Sequence, residues 1–139
     1  MNIDSIVNGI VIDHIAAGKG MELYSLLGLE KIDCPVAIIK SVPSKKMGKK
    51  DIIKVDGRVS VSVDVIGYVD PDATINIIEG GVIIDKRTCG LPKTLKNVIK
   101  CKNPRCITSV EQELDHIFKL TDVERKVYRC IYCETKAGN

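Results

Sequence analysis

The chain has 139 residues, of which 45% are hydrophobic and 28% charged, and its formal net charge is +3. That length admits one or two small domains, and no apolar run reaches the length of a membrane helix. The charge is modest, and the chain has no tryptophan, one phenylalanine and four tyrosines, so neither a nucleic acid nor a membrane is an expected partner.

In chain order, Met1-Asn2-Ile3-Asp4 lacks the basic start and apolar run of a secretory signal, so a reducing, cytoplasmic compartment is expected. Ile3 to Ile15 opens the first domain, and Gly9 to Ile15 is β-branched and apolar enough for a buried strand. Asp13 and His14 interrupt that strand and, by simple alternation, face opposite sides. After a turn at Ala16–Gly20, Met21 to Leu29 reads as an amphipathic helix with Gly28 near its end. Val36–Val42 reads as a second strand, Pro43–Lys50 as a basic loop and Asp51–Val55 as a third strand. Val59–Val69 fits two periods: Val59, Val61, Val63 and Val65 alternate, while Val59, Val63, Ile66 and Tyr68 recur at helical spacing. Ala73–Ile78 and Val82–Arg87 form a hairpin around Glu79-Gly80-Gly81. This order predicts an α+β sandwich, with helices on one face of a mainly antiparallel sheet. Cys89–Pro92 reads as the link to a second domain.

Four cysteines organise that second domain. Cys101 and Cys106 are spaced C-x4-C, and Cys130 and Cys133 are spaced C-x2-C, with a long hairpin expected between the pairs. Four thiolates at such spacing suit a tetrahedral structural zinc with no position left for water. Two disulfides would need an oxidising compartment, and iron is a lesser competitor. The segment from about Asn97 onward is small enough to need such a staple. Cys34 and Cys89 have no partner at ligand spacing and read as ordinary core or loop residues.

No Ser-His-Asp nucleophile elbow, P-loop or G-x-G-x-x-G is present, so a catalytic function is not expected. Lys50, Lys54 and Lys86 lie on or beside strands, with Asp13 and His14 on another. Such lysines can grip a polyphosphate, and such an aspartate or histidine can hydrogen-bond a base or ribose. A solvated, charged sheet edge is the plainer alternative. The run from Lys45 to Lys50 leaves open a zinc-ribbon nucleic-acid module. His14 alone suits a core histidine, and His116 reads as a strand residue.

The motifs Gly9–Ile15, Pro43–Lys54, Ala73–Asn76, Leu91-Pro92, Cys101–Thr108 and Cys130–Glu134 occur in this order over nearly the whole chain. With them, the sequence resembles the regulatory chain of aspartate carbamoyltransferase. The resemblance implies a non-catalytic subunit. Residues 1–90 would be a ferredoxin-like domain, an antiparallel sheet with two helices, that binds nucleoside triphosphates. Residues 91–139 would be a small all-β zinc-ribbon domain docked on catalytic chains. It implies that Asp13, His14, Lys50, Lys54, Asn76, Ile78, Ile83 and Lys86 surround the nucleotide, which magnesium can accompany, and that the backbone near Ile6 helps enclose the base. It implies that Cys101, Cys106, Cys130 and Cys133 hold the zinc, with Asn103 and Glu134 at the docking contact. It further implies regulatory dimers bridging catalytic trimers, inhibition by pyrimidine triphosphates such as CTP and UTP opposed by ATP, and a helix over Val59–Val69.

Overall fold

The computed structural model describes residues 6–138; the start expected at Ile3 lies outside them as far as residue 5. The chain divides into two compact units, Met1–Gly90 and Leu91–Asn139.

In the first unit the elements are β1 (Gly9–Ala16), α1 (Gly20–Leu26), a single 3-10 turn (Leu29–Lys31), β2 (Val36–Ser44), β3 (Gly48–Val55), α2 (Val63–Val69), β4 (Thr74–Glu79) and β5 (Val82–Thr88). The strands form one antiparallel sheet in the order β2-β3-β1-β4-β5. The first four strands and two helices make the ferredoxin-like arrangement, and β5 extends the sheet beyond β4. Alternation sends Ile10 and Ile12 of β1, Ile53 and Val55 of β3 and Ile75 of β4 to the buried face, where Leu23 of α1 and Val65, Ile66 and Val69 of α2 complete the core. Each such side chain contributes about 1.5–3 kcal/mol when fully buried. α1 packs on β2, β3 and α2, so the opposite sheet face is left for other work.

Several elements differ from their sequence-based outlines. α1 stops at Leu26, because Gly28 adopts a left-handed φ of 67° and turns the chain into the 3-10 segment. The ambiguous stretch is helical only from Val63. Ser62 caps that helix by accepting the Val65 N–H at 3.3 Å, and burial of Val65, Ile66 and Val69 along one side overrides the strand preference of the valines. Val59 to Val61 belong to no helix or strand. The basic stretch 43–50 is mostly a hairpin: β2 runs through Ser44 and β3 begins at Gly48. The β4–β5 hairpin turns on Gly80 and Gly81, with φ of 60° and 79°. Two positive values in a two-residue turn match the strand twist.

The second unit holds β6 (Thr94–Lys96), a helical turn α3 (Ile107–Val110), β7 (Ile117–Asp122) and β8 (Val127–Cys130). The sheet order is β6-β7-β8. Leu95, Phe118, Val127 and Tyr128 are buried beside Cys101, Cys106 and Cys130, and the Tyr128 hydroxyl donates to the Pro92 carbonyl at 2.6 Å. The expected hairpin is β7–β8, and β6 is an addition to it. His116 sits one residue ahead of β7 rather than in a strand.

Candidate nucleotide face and metal centre

On the sheet face turned away from the helices, register partners place Ala37, Lys54, Val11, Asn76 and Lys86 in one continuous cross-strand row. Residues directly opposite in antiparallel strands share a face, so the two lysines and the asparagine line up across four strands. Ile78 and Ile83 are paired one step along the same face, and Lys50 and Ile52 lie on it by alternation from Lys54. Ile6 is buried at the approach to β1.

Asp13 and His14 depart from simple alternation. The β1–β3 register shifts between Ile12 and Ile15, and His14 takes a left-handed φ of 58°. A bulge of this kind re-aims side chains. Here it brings both residues to the lysine face: Asp13 Oδ1 pairs with Lys50 Nζ at 2.9 Å, and His14 Nδ1 lies 3.0 Å from Thr74 Oγ1. Burial opposes ionisation of Asp13, but the Lys50 ammonium and the His14 N–H outweigh it and hold the carboxyl below its ordinary range. Lys50 is thereby partly neutralised. Lys86 and Lys46 have no carboxylate partner among the described residues.

Asn76 is 8% exposed, and its Oδ1 has no hydrogen-bond partner among the described residues. A buried unsatisfied acceptor is uncommon and costs about 1–3 kcal/mol. Its ladder partner Lys86 borders an open cleft of ≈ 720 Å³, together with His14, Lys46, Asp72 and Thr74; Asn76 itself is not part of that lining. Val11, Ile52 and Thr74 were not singled out as site residues from the sequence, and Lys46 only as a member of the Lys45–Lys50 run. Val11 and Ile52 could have been found from the period-two pattern of β1 and β3, because each lies two residues from a residue already named.

A second carboxylate supports the bulged region from the core side. Asp51 is fully buried and accepts the N–H groups of Ser41, Gly18 and Gly20, each at 3.0 Å. Burial opposes its ionisation, yet the Ser41, Gly20 and Gly18 donors, with Lys40 nearby, pull it below the ordinary carboxylate range. It ties the β1–α1 turn to the second bulge of the sheet, at Ser41 in β2.

In the other unit, the four cysteine Sγ atoms lie within 4.8 Å of one another. Cys101 and Cys133 are 3.5 Å apart and Cys106 and Cys130 3.7 Å apart. All four are free thiols. Metal–sulfur bonds of about 2.3 Å in a tetrahedron put sulfurs roughly 3.8 Å apart, whereas a disulfide needs about 2.05 Å. The donor set therefore fits a tetrahedral thiophilic cation. The surrounding groups suit thiolates: Thr108 Oγ1 donates to Cys106 Sγ at 3.1 Å, and Thr135 Oγ1 lies 3.2 Å from Cys133 Sγ. The Thr135 contacts bring Cys133 down to about 6, while burial beside the neighbouring thiols pushes Cys101 up to about 12 and raises Cys130. His116 contributes no ligand; its Nδ1 accepts the Cys101 N–H at 3.1 Å. The knuckles close with Cys106 N–H on Asn103 O and Glu134 N–H on Cys130 O.

These two arrangements coincide with two family matches. Residues 1–90 match the allosteric domain of the aspartate carbamoyltransferase regulatory chain, and residues 93–139 match the metal binding domain of the same chain. The chain belongs to the aspartate carbamoyltransferase regulatory chain family. It is 51% identical to the regulatory chain of Clostridium botulinum over 96% of its length and 92% of that relative's. It is 47% identical to the Clostridium tetani regulatory chain, over 96% and 94% of the two chains. With the Bifidobacterium longum regulatory chain it shares 39% identity over 99% of both. As a member of this family it is a non-catalytic subunit with an allosteric domain and a metal-binding domain, and its partner is a catalytic chain. No helix among the described residues is long and apolar enough to cross a membrane.

Proposed function

We propose that residues 1–90 bind a nucleoside triphosphate on the exposed sheet face, and that residues 91–139 hold zinc and transmit the nucleotide's effect to catalytic trimers. The observation that carries the nucleotide site is the unsatisfied Asn76 Oδ1, set in a row with Lys54 and Lys86. An acceptor without a donor suits the amino or hydroxyl group of a base or ribose. Lysines along the same row suit a polyphosphate as point charges. Val11, Ile52, Ile78 and Ile83 supply apolar contact for a base, while Asp13 and His14 stand at the same face. Magnesium would accompany the phosphates rather than occupy a site made by the protein alone.

The polyphosphate is common to CTP, UTP and ATP, so the lysines cannot tell them apart, and discrimination falls to the base end of the face. Inhibition by pyrimidine triphosphates, opposed by ATP, would make this subunit a feedback sensor of pyrimidine synthesis in the cytoplasm. An effector shifts an assembly only through unequal affinity for two quaternary states, with coupling typically about 1–3 kcal/mol. In the second unit Cys101, Cys106, Cys130 and Cys133 would hold the zinc. The ion supplies a cross-link that orders the two knuckles and performs no reaction. Asn103 and Glu134, beside the cysteines, would meet the catalytic chain.

A regulatory dimer is supported by β5. It is an edge strand on which Val82, Ile83 and Ile84 are 61%, 56% and 56% exposed. An exposed apolar edge favours pairing with a second copy.

The test is made on the complex with catalytic trimers. Lys54→Ala should remove the response of carbamoyl transfer to added CTP and ATP, with zinc content and assembly unchanged. A response that survives this substitution places the nucleotide elsewhere.

A further inference from the structure

The metal-binding unit carries a charge arrangement that its own fold does not explain. Lys119 of β7 is the direct register partner of Arg129 of β8, and Arg129 is bridged in turn to Lys136. Three cations therefore stand side by side in one cross-strand row, all exposed. Like charges directly opposite in a sheet are destabilising. No carboxylate of the described residues pairs with any of the three; the one hydrogen bond from these side chains runs from Arg129 Nη1 to the Glu134 carbonyl at 3.1 Å.

Two plainer explanations do not cover the whole row. Cations can offset the excess negative charge of a four-thiolate metal site, but Cys130 and Phe118 turn inward, so alternation sends Arg129 and Lys119 to the opposite side of the sheet. Lysines can also guard a free strand edge; that suits Arg129 and Lys136 at the outer strand β8, but not Lys119, which lies on β7, the central strand of three. The row continues into the rim of the metal centre. An open depression of ≈ 370 Å³ is lined by Lys119, Thr121, Arg129, Cys130, Ile131 and Glu134, and Ile131, between the last two cysteines, is half exposed.

We infer that the Lys119–Arg129–Lys136 row is a docking surface for a carboxylate-rich patch on the catalytic chain, extending the contact beyond the metal knuckles. This rests on the docking role proposed for residues 91–139 and names the chemistry of its partner surface. Carboxylates set against the row would remove the repulsion that the isolated chain bears. Charges placed at the rim of an interface act mainly on association rate and salt dependence.

The experiment uses the full-length chain, with Lys119→Glu and Lys136→Glu combined, titrated against catalytic trimers at several salt concentrations, with bound zinc measured in parallel. At low ionic strength the variant should bind about tenfold or more weakly than wild type, and the gap should close near ~0.5 M salt, where the Debye length is only a few ångströms. The milder pair Lys119→Thr and Lys136→Thr should weaken binding in the same salt-dependent way without loss of zinc or of chain stability, because it relieves repulsion. Equal binding by wild type and the glutamate variant at low salt overturns the inference. So does a deficit in the threonine pair that persists at high salt, which would indicate a packing role. Binding of duplex DNA or RNA that the variants abolish, with trimer binding unchanged, would assign the row to nucleic acid instead. A wild-type chain that ignores the trimers removes the docking role itself, and this inference with it.

Discussion

At Asp51 one buried carboxylate decides the shape of the proposed nucleotide face without lying on it. Its three backbone donors come from the β1–α1 turn and from the β2 bulge, so it holds the segments on either side of β3 in register. Asp51→Asn keeps the size but gives up the charge and one acceptor oxygen. Because Gly18 and Ser41 are exposed and can be hydrated while Gly20 is buried, the loss should be about 1–3 kcal/mol, read from chemical denaturation. The sign with pH follows from the direction of the shift. The folded carboxyl titrates below its ordinary value, so its stabilisation is fully present above about pH 4 and fades as the pH falls through the folded value. Wild type should lose stability on acidification below about pH 4 more steeply than Asp51→Asn. An equal slope in the two proteins would mean that Asp51 is not held ionised. The same scale explains Asp13 and His14. Alternation assigns them to opposite faces, and only the bulge, a backbone feature with no local sequence signature, reunites them.

Among elements, those with a strong local signal were legible and the rest were not. The β4–β5 hairpin announces itself through adjacent glycines between β-branched runs. The cysteine spacing foretold two knuckles, and the four sulfurs do converge. β6 left no trace because three residues hold no period. The basic stretch 43–50 looked like a loop because lysines and glycine hide a hairpin whose partners are set by the ladder. Val59–Val69 was undecidable from period alone; Ser62 and the buried side of α2 settle its latter half as helix. The lysine row across β3, β1, β4 and β5 could not be read from sequence either, since it depends on strand order and register. At this scale the exposed apolar start of edge strand β5, Val82 to Ile84, makes a prediction. For the dimer proposed above, Val82→Lys with Ile84→Lys should shift the sedimenting species toward monomer, because a charged edge resists pairing. An unchanged dimer would locate the self-contact on another surface.

For the whole molecule, the separation into two compact units means that each can fail alone. The metal-binding unit has a small core, and a structural zinc can supply on the order of 10 kcal/mol toward folding such a module. A strong chelator should therefore abolish amide protection across residues 91–139 and release the chain from catalytic trimers, while β1 to β5 stay protected. Protection that persists throughout would show that the second unit folds without its metal. The ferredoxin-like unit has the larger core. The proposed regulation turns on a triphosphate seated on the exposed sheet face of that unit. Its most direct test is calorimetric titration of the full-length chain with CTP and with ATP, for wild type, Lys86→Ala and Asn76→Ala. Saturable binding to wild type, weakened about tenfold or more by either substitution, is the predicted result. Undiminished binding in both variants, with zinc content intact, would contradict it.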